Sequence, residues 1–542
     1  MSFRPGPRVS AVLCLAAGGL AAVAHPPFGF LPGLLGYALL MHLVDAAPDA
    51  RPLRAAFWRG WLAAFAYFLI SCWWVAEAFM VDARGQGWMA PFAATLLPAG
   101  LGLFWGLAML AYRALGKSGP CRVLVFAGAF TAAEWLRGHV LTGFPWNLPG
   151  ESWRAGSAMS QTAALVGAYG LTWITLAMAA ACAAPFRPGP GPGGRRWRFA
   201  PVLVAACALV GLWIHGELRL RHPVAPPGPQ PVVRIVQANV KQETKYSEDN
   251  LRTIFADYVD LTAAPASRPP DIVVWSEGAV PSLSANELLE PGSGAAEAIA
   301  RAMHPGESLL LGAYRIAGTA GKSRYYNSLI AVRARADGLD VTGVYDKYRL
   351  VPFGEYLPAE QVLQPLGFKD LTHIGDSYSA GALPAGMAPA GMPPVLPLIC
   401  YESLFPDLVR DAVRRSARRP QWIVNVSNDS WFGVTSGPLQ HLNQASYRAI
   451  EEGLPIVRST PTGVSAVIDA YGRVAPGRSL GMDRLGVVDA PLPPPLAGTT
   501  YGRVGDAPLG ILLALTLLMA LRSVLSRIMI TAVTIPRFWA KR

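Results

Sequence analysis

Three residues at the ends of apolar runs could together carry nucleophilic chemistry. Glu277 follows the run in "DIVVWSEGAV", Lys347 follows the run in "DVTGVYDKY", and Cys400 ends the run in "PVLPLICYE". A thiol with a pKa of about 8.5 is only a small fraction thiolate at neutral pH, so a nucleophilic cysteine requires a base. A carboxylate in a crowded site can be that base, and a fixed cation can stabilise an oxyanion. The three side chains could therefore supply base, cation and nucleophile.

Each of these signals is weak when it is taken alone. A cysteine at the end of an apolar run is most often a small buried residue, and a glutamate or lysine at a strand end is most often solvated. His222, His304, His373 and His441 stand in no recognisable triad context and are interpreted as structural or exposed. The six cysteines form no C-x-x-C pair, and no metal-binding or phosphate-loop pattern occurs in the sequence. No metal and no other cofactor is therefore expected.

The elements around the three residues alternate between strands and helices. Short β-branched runs bounded by Gly, Pro, Asn or Asp predict strands, and the stretches between them with helical spacing predict helices. This alternation indicates an α/β domain with a largely buried sheet, in which functional residues gather where strands end. The domain is expected over residues 217–505. Its predicted helices lie in "YSEDNLRTIFADYVDLTA", "GAAEAIARAM", "FPDLVRDAVRRSAR" and "LQHLNQASYRAIEEG".

The rest of the chain is much more apolar. The whole sequence of 542 residues is 52% hydrophobic and only 15% charged, whereas an ordinary soluble protein is roughly 25% charged. A helix needs about 20 apolar residues to cross a bilayer. Eight segments predict an eight-helix transmembrane bundle, with seven helices in a domain over residues 1–216 and the eighth in residues 506–542. The predicted spans are 9–25, 28–45, 56–80, 89–113, 121–138, 160–184, 199–216 and 507–528.

Basic residues in the short connections predict the orientation of these spans. The net charge is +12, and the excess of Lys and Arg falls in alternate connections, beginning with Arg4 and Arg8 before the first span. Because basic connections favour the cytoplasmic side, both termini are expected in the cytoplasm and residues 217–505 outside the inner membrane. No nucleic-acid-binding motif accompanies the charge, so nucleic-acid binding is not expected. A cleavable signal peptide ending at Ala24 is an alternative interpretation of the first span.

Three motifs in a fixed order carry a resemblance to a known family. The stretches "WSEGAV", "YDKYRLVPFGEYLP" and "LICYESLFP" resemble the Glu-Lys-Cys signature of the nitrilase (carbon–nitrogen hydrolase) superfamily over about 232–490. That resemblance implies an αββα sandwich. With seven predicted spans before this domain, one after it, and the stretches "LVPFGEYLP" and "SNDSWFG", nearly the whole chain resembles the membrane-embedded apolipoprotein N-acyltransferase family of the Gram-negative envelope.

The resemblance implies a two-step acyl transfer without metal or nucleotide. Glu277 would take the thiol proton, and Cys400 would attack an acyl ester of a phospholipid, usually phosphatidylethanolamine, to form a thioester. The α-amine of the diacylglyceryl-cysteine of an apolipoprotein would then attack that thioester, and Lys347 would stabilise the oxyanion in both steps. Three further residues match family positions that support the active site: Glu355, Tyr401 and Glu402.

Other positions are interpreted as contacts to lipid. The loop over residues 351–368 is predicted to pack on its own domain or to act as a lid toward lipid. The stretch "GFPW" either anchors the chain at the membrane interface or forms a wall of the lipid site. Tyr246 stands where the family often carries Trp, and "NLPGES" replaces the usual continuation after "GFPW". The predicted substrate-binding residues are Trp146, Tyr246, Asn327, Phe353, Trp431 and Phe432.

Two other functions compete with the acyltransferase. A membrane-tethered carbon–nitrogen hydrolase or amidase would use the same three residues and let water complete the reaction. A transporter or receptor with a degenerate module would instead depend on charges inside the membrane, for which Glu77 and Glu134 are the candidates. Both carboxylates lie toward the predicted outer ends of their spans, which weakens the transporter hypothesis.

Overall fold

The computed structural model describes residues 5–48, 50–115, 121–186, 199–221, 224–225, 228–243, 245–246, 248–318, 323–363, 365 and 377–534. The chain divides into two compact units. The helical unit comprises Met1–Ala76, Met89–Arg221 and Arg503–Arg542, and the α/β unit comprises Glu77–Trp88 and His222–Gly502.

Apolar helices form the helical unit, and each of the eight predicted spans contains a helix. Four helical stretches among the described residues are long and apolar enough to cross a membrane: Pro52–Met80, Gly87–Leu115, Met159–Ala181 and Ala200–Arg221. Three more are apolar but shorter, so several apolar helices are confirmed, while the count of eight membrane spans stays a prediction. The α-helices up to residue 221 are α1 (Pro7–Ala22), α2 (Leu35–Asp45), α3 (Pro52–Cys72), α4 (Glu77–Met80, part of the α/β unit), α5 (Ala90–Leu115), α6 (Arg122–His139), α7 (Ala163–Ala181) and α8 (Ala200–Arg221).

Helix α6 is the least apolar of the predicted spans because it carries a buried ion pair. Glu134 and Arg137 lie one turn apart, pair with each other, and are both buried. The indole Nε1 of Trp105 donates a hydrogen bond of 2.6 Å to Glu134. A buried carboxylate that is paired and hydrogen-bonded has the arrangement of a structural charge, so Glu134 offers no support for the transporter hypothesis.

Two β-sheets form the centre of the α/β unit. The first has the strand order β11-β1-β2-β3-β4-β5, in which β1, β2 and β3 are parallel. The second has the order β10-β9-β8-β7-β6, in which β6, β7 and β8 are parallel. The strands are β1 (Val232–Gln237), β2 (Ile272–Val274), β3 (Ser308–Ala317), β4 (Arg324–Arg335), β5 (Gly338–Asp346), β6 (Val395–Ile399), β7 (Trp422–Val426), β8 (Ile456–Ser459), β9 (Ser465–Ile468), β10 (Val474–Leu480) and β11 (Gly486–Pro491).

The two sheets pack face to face, with helices on their outer faces. One core cluster joins Ile235 and Leu310 of the first sheet to Val424 and Val457 of the second. Separate clusters lie beneath the outer helices, so the unit has four layers in the order α, β, β, α, as predicted. The remaining helices are α9 (Glu248–Thr262), α10 (Ala285–Leu288), α11 (Gly294–Ala302), α12 (Glu360–Leu363), α13 (Pro406–Arg415), α14 (Gly437–Glu452), α15 (Thr500–Val504) and α16 (Ala507–Thr534).

Most predicted strands and helices of this unit are present, but β10 was not predicted. Its sequence, "VAPGRSL", contains Pro476 and Gly477 and lacks an apolar alternation. The strand lies at the edge of the second sheet with most of its side chains partly or fully exposed, and its register shifts along β9. Edge strands tolerate Pro and Gly, which is why the local sequence does not reveal this one.

Candidate active site

The three residues that the sequence singled out all follow strands of the sandwich. Lys347 directly follows β5, Cys400 directly follows β6, and Glu277 lies three residues beyond the end of β2. A further polar segment, Ser427–Asp429, follows β7, which is parallel to β6. Polar side chains from several elements therefore meet where these strands end, which is where α/β folds place their functional groups.

One lysine and two carboxylates form the centre of the site. The Nζ of Lys347 lies 2.8 Å from Oε2 of Glu355 and 3.4 Å from Oε1 of Glu277. Asn327 bridges the same two carboxylates, because its Nδ2 donates to Oε1 of each at 2.7 Å. Glu277, Asn327, Lys347, Glu355 and Cys400 are called the reaction cluster below.

Both carboxylate oxygens of Glu277 are held by the fold. Oε2 accepts a hydrogen bond of 2.6 Å from the backbone N–H of Asn428. Strand β3 runs so close that a Cβ on Gly312 would lie 2.3 Å from the backbone oxygen of Ser276, so only glycine fits there. The same glycine accepts a hydrogen bond of 2.9 Å from the N–H of Ala279. The peptide that carries Glu277 is thus fixed on both sides.

Lys347 is fully buried and remains charged. Burial acts to lower the pKa of Lys347, but the carboxylates of Glu355 and Glu277 outweigh it and raise the pKa above its ordinary value. The backbone also holds the residue, since its N–H donates to the carbonyl oxygen of Asn327 at 2.8 Å. A fixed ammonium of this kind can stabilise negative charge that develops beside it.

Cys400 is partly buried and sits at a strained backbone position. Its φ is +50°, a left-handed conformation that few residues other than glycine adopt and that costs on the order of 1–3 kcal/mol. Burial, followed by the charge of Glu277, raises the pKa of the thiol to about 12. The charge of Lys347 and a hydrogen bond to Ser427 act in the opposite direction. The resting sulfur is therefore a neutral thiol that needs a base to become a nucleophile.

Glu402 ties the nucleophile turn to the loop that carries Lys347. Oε1 accepts hydrogen bonds from the Tyr345 hydroxyl at 2.7 Å and from the N–H groups of Tyr348 and Arg349 at 2.9 and 3.1 Å. Oε2 accepts from the N–H of Ile399 at 2.8 Å. Glu402 is wholly buried, and burial raises the pKa of its carboxyl, while these hydrogen bonds act to lower it. The residue positions both loops through their backbones.

The other two support residues differ in what they contact. Glu355 belongs to the reaction cluster, and its Oε2 also accepts from the N–H of Val351 at 2.8 Å. Tyr401 is buried, and its ring packs edge-on against Phe405 with the ring centres 5.0 Å apart. The guanidinium of Arg349 lies over the Phe405 ring, 3.9 Å from its centre.

A second buried group of charges lies near Cys400 and is linked to it through serine side chains. Asp429 accepts from Arg458 Nη2 at 2.7 and 2.9 Å, and Nδ1 of His441 lies 3.0 Å from Asp429 Oδ1. Burial acts to raise the pKa of Asp429, but the charge of Arg458 outweighs it and holds the pKa well below its ordinary value. Burial, then the charge of Arg458, lowers the pKa of His441. Asp429, His441 and Arg458 are called the supporting cluster below.

Two serines connect the supporting cluster to Cys400. The Ser427 hydroxyl donates to Asp429 Oδ1 at 2.8 Å and lies near the thiol of Cys400. The Ser403 hydroxyl lies 3.1 Å from Nε2 of His441 and donates to the carbonyl oxygen of Cys400 at 2.9 Å. The cluster is thus linked by hydrogen bonds to the backbone of Cys400, and Ser427 lies near its sulfur.

The predicted substrate contacts are distributed over both units. Asn327 belongs to the reaction cluster. Tyr246 and Phe353 are exposed, and Phe353 has a φ of +63° in a tight turn closed by its N–H on the oxygen of Tyr356. Trp146 belongs to the helical unit, where it is 1% exposed and packs 4.5 Å from the Trp74 ring. Two aromatics after β7 are half-buried: Trp431 and Phe432.

Only part of the predicted lid falls among the described residues. After the turn at Phe353, helix α12 covers Glu360–Leu363, and Leu357 is buried. Residues 364 and 366–368 of the predicted lid lie outside the described residues. The lid therefore stays a prediction.

Sequence analysis did not identify the supporting cluster. His441 is interpreted there as structural or exposed, and no role is assigned to Asp429 or Arg458. One signal was present, because the arginine in "PIVRST" interrupts an apolar strand and no neighbouring residue suggests exposure. A buried arginine requires a carboxylate partner, and Asp429 at the end of the adjacent strand supplies it.

Comparison with known proteins identifies the family. An amidase from Nesterenkonia sp. of solved structure matches with a TM-score of 0.32 and 16% identity, over 53% of this chain and 97% of its own. Residues 232–500 match the family described as carbon-nitrogen hydrolase, and residues 17–181 match the apolipoprotein N-acyltransferase N-terminal domain.

Two relatives extend over nearly the whole chain, and both are named apolipoprotein N-acyltransferase. The first, from Caulobacter vibrioides, is 54% identical over 505 residues, which cover 93% of each chain. The second, from Rhodopseudomonas palustris, is 37% identical over 523 residues, which cover 94% of each chain. The chain therefore belongs to the apolipoprotein N-acyltransferase family.

Proposed function

We propose that this protein transfers an acyl chain from a membrane phospholipid, with phosphatidylethanolamine as donor, to the N-terminal α-amine of the diacylglyceryl-cysteine of apolipoproteins. Glu277, Lys347 and Cys400 act as base, oxyanion-stabilising cation and nucleophile. The observation that carries the proposal is the reaction cluster, in which a buried ammonium joins two carboxylates beside a neutral thiol. Membership of the acyltransferase family supplies the substrate class.

In the first step, Glu277 takes the proton of the Cys400 thiol as the sulfur attacks the ester carbonyl of the donor. The charge of Lys347 stabilises the oxyanion of the tetrahedral intermediate. The C–S bond forms, the ester C–O bond breaks, and the proton on Glu277 passes to the departing alkoxide. The products are a thioester on Cys400 and a neutral lysophospholipid hydroxyl.

In the second step, the free α-amine of the acceptor attacks the thioester. The C–N bond forms, the C–S bond breaks, and Glu277 carries the amine proton to the departing sulfur. The acceptor leaves with an amide-linked acyl chain, and Cys400 returns to its thiol form. Water must be kept from the thioester during this interval, because hydrolysis would release a free fatty acid.

The membrane setting of the site is part of the proposal. The apolar helices and the family indicate a bacterial membrane protein. We further propose that all eight predicted segments span the inner membrane, that both termini face the cytoplasm, and that the catalytic domain is periplasmic. The proposed domains are 1–216, 217–505 and 506–542. The alternation of basic connections supports this orientation.

Intact-protein mass spectrometry tests the proposal directly. Purified full-length protein in detergent is incubated with phosphatidylethanolamine, quenched, and weighed. We expect an increase of one acyl chain on Cys400 that is absent in Cys400→Ala and is removed by a diacylated lipopeptide. Cys182→Ala, which changes a thiol in the helical unit, is the matched control and should keep the adduct.

Two results would contradict the acyl transfer. Rapid release of free fatty acid in water, without transfer to lipopeptide, would identify a hydrolase. Transfer that persists undiminished in Cys400→Ala would exclude the thioester on this residue.

A further inference from the structure

A second lysine lies beside Glu277 but outside the reaction cluster. Lys245 is only 4% exposed. Its Nζ would lie 3.3 Å from a Cβ on Gly278, the residue after the proposed base. Unlike Lys347, it makes no hydrogen bond or ion pair with any of the described residues. A buried ammonium without a contact partner is costly, so this position favours an anionic ligand.

Burial destabilises the charged form of Lys245. It lowers the pKa of Lys245 to about 8, and the charge of Glu277 opposes that change only in part. An anion in direct contact would stabilise the charged form much more strongly than a carboxylate beyond ion-pair distance. The structure thus leaves the charge of Lys245 uncompensated at short range.

A second donor lies in the same segment. The N–H of Ser430 donates to Oδ1 of Asn428 at 3.3 Å, which fixes the orientation of the Asn428 amide. Asn428 Nδ2 must then donate to Oε1 of Gln242, at 3.1 Å, so Gln242 presents Nε2 on its other side. Gln242 is 3% exposed, and its Nε2 has no hydrogen-bond partner among the described residues.

Two nitrogen donors, one cationic and one neutral, therefore lie buried and unsatisfied in one short segment against the base of the reaction. Oxyanions, and phosphate oxygens above all, bind to such pairs of donors.

We infer that Lys245 and Gln242 bind the phosphodiester group of the glycerophospholipid donor, an inference that rests on the acyl transfer proposed above. The glycerol backbone joins the reacting ester to the phosphate through only a few covalent bonds. A phosphate held beside Glu277 therefore places the ester carbonyl near the nucleophile that Glu277 serves. Binding energy at the phosphate, which does not react, would be used to orient the ester.

The inferred site distinguishes the two half-reactions. The donor and the departing lysophospholipid carry a phosphate, whereas the diacylglyceryl-cysteine acceptor carries none on its lipid. Lys245 and Gln242 should therefore contribute to acylation of Cys400 and not to transfer of the acyl chain to the amine. A lysine that only balanced the charge of Glu277 would affect both half-reactions, because Glu277 moves a proton in each.

The experiment compares donors with and without a phosphate. The rate of acyl-adduct formation on full-length protein is measured with phosphatidylethanolamine and with p-nitrophenyl palmitate. Lys245→Met should slow acylation by the phospholipid about 10–100-fold, because the variant loses one hydrogen bond to a charged group. Acylation by the p-nitrophenyl ester, and the chase of the preformed thioester with lipopeptide, should each slow much less than acylation by the phospholipid. These two rates also show that the variant is folded.

Three further variants sharpen the comparison. Lys241→Met removes a lysine four residues away that is 58% exposed and pairs with Asp483, so it should leave both donors unaffected. Lys245→Arg keeps the cation and should recover part of the lost rate. Gln242→Glu keeps the acceptor for Asn428 but puts negative charge where Nε2 was, and should slow the phospholipid reaction alone.

Defined outcomes would overturn the inference. Equal loss with both donors, an equal loss in the lipopeptide chase, or equal effects of Lys241→Met and Lys245→Met would exclude a phosphate-binding role. Full activity of Lys245→Met toward the phospholipid would exclude it as well. In each of these cases the wild-type thioester still forms, so the proposed acyl transfer survives. Failure of wild-type protein to form an adduct with any donor would instead remove the acyl transfer itself.

Discussion

The α/β unit contains two buried groups of charges that differ in how their charges are balanced. In the supporting cluster, the single carboxylate of Asp429 meets a guanidinium and an imidazole, and all three side chains are almost completely buried. In the reaction cluster, two carboxylates share one ammonium, and a thiol that is only partly buried completes the group. The carboxylate of the supporting cluster is neutralised by its cation. The reaction cluster has two carboxylates for one ammonium, next to the Cys400 thiol.

This difference shows why one cluster is suited to holding a backbone and the other to moving a proton. A fully paired carboxylate is a poor base, because Arg458 holds the pKa of Asp429 well below its ordinary value. Glu277 shares the contacting ammonium of Lys347 with Glu355, so two carboxylates pair with one cation. The following changes are expected to break or sharpen this contrast, beginning with the largest effect.

Glu277→Gln should separate acyl transfer from thiol reactivity. Loss of the base should slow acylation by phosphatidylethanolamine about 10²–10⁴-fold. The same change removes a negative charge that raises the pKa of Cys400, so the thiolate should form at lower pH. Alkylation by iodoacetamide at pH 9 should then be faster than in the wild type, whose thiolate becomes abundant only toward pH 12. Both rates can be followed by intact mass.

The control for this variant is Glu297→Gln, which removes an exposed carboxylate of helix α11 and should change neither rate. Burial raises the pKa of Cys400 more than the charge of Glu277 does, so the thiol of the variant should still ionise at a higher pH than the thiol of a free cysteine. Slower alkylation in Glu277→Gln than in the wild type would contradict the conclusion that the charge of Glu277 raises the pKa of the Cys400 thiol.

Arg458→Met should affect stability more than chemistry. It leaves the carboxylate of Asp429 buried without its cation, a change that costs about 3–5 kcal/mol when one partner of a buried pair is removed. We expect a clear fall in the unfolding temperature of the detergent-purified protein, whereas Arg301→Met, at an exposed position on α11, should leave it unchanged. An unfolding temperature equal to that of the wild type would show that the supporting cluster does not hold the fold.

Ser403→Ala should give the smallest effect, because it cuts one link between the supporting cluster and the nucleophile. The lost hydrogen bond to the Cys400 carbonyl is expected to cost about 1 kcal/mol. A few-fold slower acylation with little change in unfolding temperature is the expected result. Ser446→Ala, which removes a buried hydroxyl bonded within helix α14, is the matched control. Equal rates for both variants would show that His441 does not support the nucleophile through Ser403.

The sequence was most informative where chemistry coincides with strand ends. Each of Glu277, Lys347 and Cys400 follows an apolar run, and the parallel and antiparallel pairings that join those runs bring two of them into direct contact. Local periodicity predicted the α/β class of this unit, since strands and helices must each bury one face. The four-layer arrangement was implied by the resemblance to the nitrilase superfamily.

Features that depend on distant partners could not be predicted. Whether an arginine inside an apolar strand is buried depends on a carboxylate from another strand, as Arg458 and Asp429 show. Helix α6 likewise contains charges that lower its hydropathy, and only the folded chain shows that Glu134 and Arg137 neutralise each other. The number of membrane spans therefore cannot be decided from apolar length alone.

The hydrogen bonds of Glu402 have a consequence for motion in the site. One side chain accepts from the neighbouring amides of Tyr348 and Arg349 and from the amide of Ile399, which is 50 residues beyond Arg349 in the sequence. Movement of the Glu402 carboxylate away from these amides would break all three hydrogen bonds together. We therefore expect the three amides to exchange their hydrogens for deuterium at one common rate. The loop that carries Lys347 and the turn that carries Cys400 would then open together, as a single cooperative unit.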